Sequence, residues 1–202
     1  MPLVRGGYNV TNPINALLGN TKQVVNTNVP ARSNIYWTGI STPTDNAIGA
    51  TGVGTFVAIP VEQNDLLSKI TILIGATGAS TPTHAFGALY SGIATPALLG
   101  QSTDSTTAAI AASAAFSFTL SSAVAITPAI APQGFIYALF SVTSSTQPTA
   151  VGCASATAVT YKWFTNGPAF LAGTAGSSLA GTAAATIASG TALATTPICV
   201  VT

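Results

Sequence analysis

From Asn34 onward the chain is a succession of short runs in which apolar side chains recur at every second position, separated by clusters of Gly, Pro, Asp and Asn. Period two is the spacing of a β-strand that buries one face. In residues 55–61 (TFVAIPV), Val57, Ile59 and Val61 fall on one side. Ile70, Ile72 and Ile74 do so in residues 69–75 (KITILIG), and Phe86, Ala88 and Tyr90 in residues 84–90 (HAFGALY). The longest case is Phe116, Phe118, Leu120, Val124 and Ile126, interleaved with Ser117, Thr119, Ser121, Ala123 and Ala125. Residues 135–142 differ in being apolar on both sides, which marks a central strand or one whose outer face meets another subunit. Shorter candidates at residues 35–40, 97–102, 159–164 and 197–201 bring the count to eight to ten strands.

Helix-length periodicity between these runs is missing, so parallel crossovers are excluded and the expected fold is all-β. Two four-stranded sheets in an antiparallel β-sandwich of jelly-roll type are the economical arrangement. Residues 106–113 (TTAAIAAS) are expected to form a single helical turn bridging the sheets. Ahead of the sandwich, residues 1–33 read as an extended N-terminal arm, because Pro2, Gly6, Gly7, Pro13, Pro30 and six Asn interrupt any long periodicity. One short helix fits inside it, capped by Asn12, opened by Pro13, apolar at Ile14, Leu17 and Leu18, and stopped at Gly19. The sandwich occupies residues 34–171. An Ala/Thr/Gly-rich segment, residues 172–202, ends in a strand.

Composition sharpens this picture. Only 4% of the 202 residues are charged and the net charge is +1, whereas a freely soluble domain carries about 25% charged residues. The protein is therefore expected to live in an assembly, with neighbours covering much of its neutral surface. Residues 172–196 are low-complexity. Ordering them costs about 1–2 kcal/mol per residue of backbone entropy while their small side chains return little burial, so neighbouring subunits are expected to supply the contacts. Three of the five basic residues, Arg5, Lys22 and Arg32, lie in the arm, and no acid precedes Asp45. A nucleic-acid partner is not expected, since there is no basic stripe to displace counterions. A membrane partner is not expected either: the longest uncharged window of apolar character, near residues 107–126, is rich in Ser and Thr. No signal-peptide core follows Arg5, because Asn9, Asn12 and Asn15 interrupt it. Cys153 and Cys199 read as two buried thiols of a protein made in a reducing cytosol, with a disulfide as the alternative if their strands are neighbours.

The inventory for catalysis is thin: one His, four carboxylates and two Cys. His84 with Asp104 or Asp45 and any Ser satisfies a triad formula, but with so many serines the match carries no information. Glu62 and Asp65 in PVEQNDLL fit a polar turn before a strand. No His/Cys spacing suits zinc, and Asp45 or Asp104 would need further ligands to hold calcium, so no metal or cofactor is expected. The Gly49–Gly54 and Gly19–Lys22 stretches lack the frames of nucleotide-binding loops. Tyr36 with Trp37, and Tyr161 with Trp163, are candidate sugar-stacking pairs, against the alternative that each strand buries one ring and covers a sheet edge with the other.

Residues 60–75 (PVEQNDLLSKITILIG), 83–92 (THAFGALYSG), 98–120 (LLGQSTDSTTAAIAASAAFSFTL) and 131–142 (APQGFIYALFSV) resemble a β-sandwich family of virion proteins from tailed bacteriophages, particularly those of actinobacterial hosts. They fall within residues 60–142, about two-fifths of the chain, and leave the arm and the Ala/Thr-rich tail uncovered. The resemblance implies a non-enzymatic structural part of the head or the tail. The first expectation is a capsid decoration (minor capsid) protein, a homotrimer made in the host cytoplasm and bound to the major capsid protein on the outer surface of the virion. Arg5, Lys22 and Arg32 would meet an acidic shell, and Leu3, Val4, Ile14, Leu17 and Leu18 would fill its grooves. The alternative is a minor tail or receptor-binding module whose Tyr36, Trp37, Tyr161 and Trp163 recognise host glycan.

Overall fold

The computed structural model describes residues 23–24, 30–34, 44–154, 171–187 and 190–202. Within them the strands run, in chain order, β1 (Gln23–Val24), β2 (Pro30–Ser33), β3 (Thr44–Ala47), β4 (Gly54–Pro60), β5 (Leu66–Leu73), β6 (His84–Tyr90) and β7 (Leu98–Gln101). They continue with β8 (Ala115–Ala125), β9 (Phe135–Thr143), β10 (Thr149–Ala154), β11 (Ala172–Ala175), β12 (Thr191–Ala192), β13 (Thr195–Pro197) and β14 (Cys199–Val201). Every pairing is antiparallel. One sheet has the order β1-β2-β14-β5-β8, a second β12-β11-β4-β9-β6-β7, and a small third β13-β10-β3. The chain steps from one large sheet to the other between β4 and β5, β5 and β6, β7 and β8, and β8 and β9.

The two large sheets share one core, which makes the fold all-β and β-sandwich-like. Ile70 and Ile72 of β5, Phe118 and Leu120 of β8, and Cys199 and Val201 of β14 face Val57 and Ile59 of β4, Ala85 and Leu89 of β6, and Ile136, Ala138 and Phe140 of β9. β5 and β8 keep the alternation expected of them, with Thr71, Ser117 and Thr119 on the outer side. A register shift between Leu67 and Lys69 marks a bulge, where the Ser68 and Lys69 N–H groups both donate to Thr202 O. Gly87 shows how closely the sheets approach. A Cβ there would stand 2.8 Å from Phe118 Cβ, so no larger residue fits without pushing β8 away.

β4, β6 and β9 are buried on both faces, although the alternation in β4 and β6 pointed to one. Their outer sides, Phe56, Ala58, Phe86, Ala88, Tyr90, Tyr137 and Leu139, form a second apolar cluster with Ala183 and Ile187. The cover is the Ala/Thr/Gly-rich segment itself. Its own chain thus supplies contacts for this segment, through Ala183 and Ile187. Small side chains make that packing geometrically possible. The ring of Phe56 sits where a Cβ on Gly173 would be 2.5 Å away and one on Gly190 2.7 Å away.

A correction concerns residues 106–113, which form no helical turn. Ile110 exchanges backbone hydrogen bonds with Ala79 in both directions, at 2.8 and 2.9 Å, and its side chain is buried. An isolated bridge thus satisfies the backbone where a helical turn was expected. Among the described residues no helix is long and apolar enough to cross a membrane.

Cys153 and Cys199 are free and buried. Burial pushes the Cys199 thiol up to about 12 from its ordinary 9.0, because the thiolate is excluded from the apolar interior. The unfolded thiol ionises near its ordinary value while the folded one keeps its proton. Stability from this group is therefore full below pH 9 and falls by about 1.4 kcal/mol per pH unit between 9 and 12. Urea unfolding at pH 8 to 10.5 is expected to show Cys199→Ala less stable than the native chain at pH 8, with the gap closing at that slope. A gap independent of pH would refute the assignment.

Candidate functional site

Three of the charged residues, Arg32, Glu62 and Asp65, come together where β2 meets the turn before β5. β2 runs beside β14, and the pair Val201↔Arg32 directs the Arg32 side chain inward. Arg32 is 2% exposed and Asp65 4%. Arg32 Nε donates to Asp65 Oδ2 at 2.6 Å and Nη2 to Asp65 Oδ1 at 2.8 Å, a two-pronged contact, and Nη2 also lies 3.0 Å from Glu62 Oε2. Asp65 closes the turn as well, accepting the Glu62 N–H at 2.8 Å, while Asn64 holds the left-handed backbone (φ 70°) that the turn requires. Burial alone would lower the Arg32 pKa, but the hydrogen bonds and charges of Asp65 and Glu62 outweigh it and raise the guanidinium above its ordinary value. Arg32 therefore stays charged, and its contribution is full below the ordinary guanidinium value and is lost as the pH rises from there through the raised one.

Beside this cluster lies a cleft of about 210 Å³, with Val61 and Ile126 in its floor, Pro128 and Pro132 in its walls and Glu62 on its rim. The Glu62 side chain is 45% exposed, so its carboxylate reaches both Arg32 and solvent. Sequence reasoning missed the cleft because residues 61–63 and 126–134 meet only through the β4–β5 and β8–β9 connections. It did place Glu62 and Asp65 in a polar turn, and their arrangement is that of a turn.

At β6, His84 Nδ1 lies 2.6 Å from Asp104 Oδ2, and Ala85 N–H donates to Asp104 Oδ1 at 2.9 Å. An ionised carboxylate only accepts, so Nδ1 is the donor. A carboxylate-oriented imidazole is one half of a nucleophilic device, yet among the described residues no hydroxyl or thiol hydrogen-bonds this ring. The pair ties the start of β6 to the 102–105 loop. Among the described residues no group of three or more His, Cys, Asp or Glu is placed to hold a metal ion.

Of the expected docking residues, Arg32 belongs to the body. β2 is a sheet strand, and the guanidinium is occupied by two carboxylates. Leu3, Val4, Arg5, Ile14, Leu17, Leu18 and Lys22 lie outside the described residues, as do Tyr36, Trp37, Tyr161 and Trp163 and the expected short helix. The remaining charges divide unevenly. Arg32 and Lys69 stand against four carboxylates within the described residues, whereas Arg5, Lys22 and Lys162 fall outside them. The chain matches no protein-family model and no curated protein.

Proposed function

We propose that this protein is a virion component of a tailed bacteriophage, a capsid decoration (minor capsid) protein that binds the outside of the head and stabilises it. Its partners are the major capsid protein and further copies of itself, as a homotrimer, and it acts without catalysis or cofactor. The sandwich is of jelly-roll type. What supports that order is the strand sequence: numbering β2, β4, β5, β6, β7, β8, β9 and β14 one to eight, the sheets read 1-8-3-6 and 2-7-4-5. This is the pattern of two Greek keys wound together.

The observation that carries the functional reading is the separation of charge along the chain. Residues 1–22 hold Arg5 and Lys22, contain no acid, and precede β1, the marginal strand of its sheet, while acids outnumber bases in the described body. A basic, partly apolar segment joined at a margin suits attachment to an acidic shell, and repetition over many copies makes modest contacts durable. Because Arg32 is internal, the variant to test lacks residues 1–22 and keeps every described strand. Purified shells are expected to lose at least tenfold in occupancy by this variant, read by gel densitometry, while its melting temperature stays within a few degrees. Undiminished occupancy would count against the arm.

A further inference from the structure

The segment that covers the second sheet is a hairpin connection. β11 and β12 pair with each other through Gly173↔Ala192 and Thr174↔Thr191, and β11 pairs with β4, so both ends of the connection are anchored at one sheet edge. Between those anchors, residues 176–187 cross the aromatic outer face of β4, β9 and β6. We infer that residues 176–187 form a strap that opens as a unit while the two-sheet body stays folded, uncovering Phe56, Phe86, Tyr90 and Tyr137. The inference is independent of the phage reading.

Three observations carry it. First, the fit is incomplete: a cavity of about 240 Å³ remains between strap and sheet, lined by Tyr90, Leu139, Leu179 and Ile187 among others. The cavity is open to solvent, so atoms lining it lack protein partners on that side. Second, the strap is held by separate hydrogen bonds instead of a continuous ladder. Leu179 N–H donates to Gly52 O at 2.8 Å, Ala183 N–H to Gln101 Oε1 at 2.9 Å and Ile187 N–H to Pro96 O at 3.0 Å. In the other direction, Leu98 N–H donates to Ala185 O at 2.9 Å, Tyr90 Oη–H to Ala184 O at 2.7 Å and Thr143 Oγ1–H to Leu179 O at 3.3 Å. Third, Gly176, Ser178 and Gly181 have φ of 76°, 53° and 77°. A serine in that region is disfavoured once the contacts around it are released. Gly181 also passes so close to Asp104 that a Cβ would overlap its carboxylate. Elements with few large buried side chains and isolated hydrogen bonds open below the free energy of global unfolding.

Native-state hydrogen exchange by NMR on the full chain, in rising sub-denaturing urea, tests this. The amides of Leu98, Leu179, Ala183 and Ile187 report the strap. Those of Ile74 and Ile126, bonded to Ala114 O and Asp65 O, report the body. The strap amides are expected to exchange at least a hundredfold faster than the body amides, with little urea dependence. Tyr90→Phe removes one strap hydrogen bond and is expected to speed the strap amides about three- to tenfold, leaving Ile74 and Ile126 unchanged. Strap and body amides exchanging with one common rate and urea dependence in the native chain would overturn the inference, as would equal acceleration of both sets by Tyr90→Phe.

Discussion

Ending the chain at Pro197 is expected to abolish cooperative folding, although it removes only the last few residues. β14 lies inside its sheet, paired with β5 through Cys199↔Ile72, Val200↔Thr71 and Val201↔Ile70, and with β2 through Val200↔Ser33 and Val201↔Arg32. Cys199 and Val201 are both 0% exposed. Burying one such apolar side chain is worth about 1.5–3 kcal/mol. Their loss also uncovers Ile70 and Ile72 and separates β2 from the body. Asn34 further loses the Cys199 N–H that donates to its Oδ1 and the Cys199 O that accepts its backbone N–H, at 2.9 and 3.3 Å. Together these approach the roughly 5–15 kcal/mol that stabilises an ordinary domain. Urea unfolding followed by circular dichroism is expected to show no sigmoidal transition. A transition within about 1 kcal/mol of the full chain's would mean that β14 is dispensable.

Arg32→Met alone is expected to cost about 3–5 kcal/mol, because it leaves Asp65 buried without its partner, and Asp65→Leu less from the charge alone, because Arg32 keeps Glu62 at 3.0 Å. Asp65→Leu has an added cost, since the Glu62 N–H loses its acceptor. The double variant Arg32→Met with Asp65→Leu is expected to recover most of the loss, since apolar groups of similar volume replace a buried ion pair at little net cost. Chemical denaturation of the four proteins closes the cycle. A coupling energy below about 1 kcal/mol, the value of a surface pair, would show that the pair is solvated instead of buried.

Alternation made the inner strands legible: the isoleucines of β5 and the Phe116 to Ile126 series lie where period two put them, because a sheet with one wet face writes its orientation into the chain. β4 and β6 were only half legible. Their second faces are buried by residues about a hundred positions away, and no local pattern records what a distant segment will cover. The cover itself was illegible for the same reason. Ala, Gly and Thr look like linker until Gly173 and Gly190 are seen to make room for Phe56. Arg32 looked like an exposed arm charge because its neighbours are polar; what buries it is Asp65, 33 residues on. The position of His84 beside Asp104 was among the formal combinations in the sequence, but nothing in the spacing separated it from the others.

We propose that this chain coats the outside of a phage head in many copies. Counting it directly in purified virions by quantitative mass spectrometry, against the major capsid protein as internal standard, tests that most directly. Decoration predicts hundreds of copies per particle, in fixed ratio to the major capsid protein and present on tailless heads. A handful of copies that leave with the tails when heads and tails are separated would contradict it.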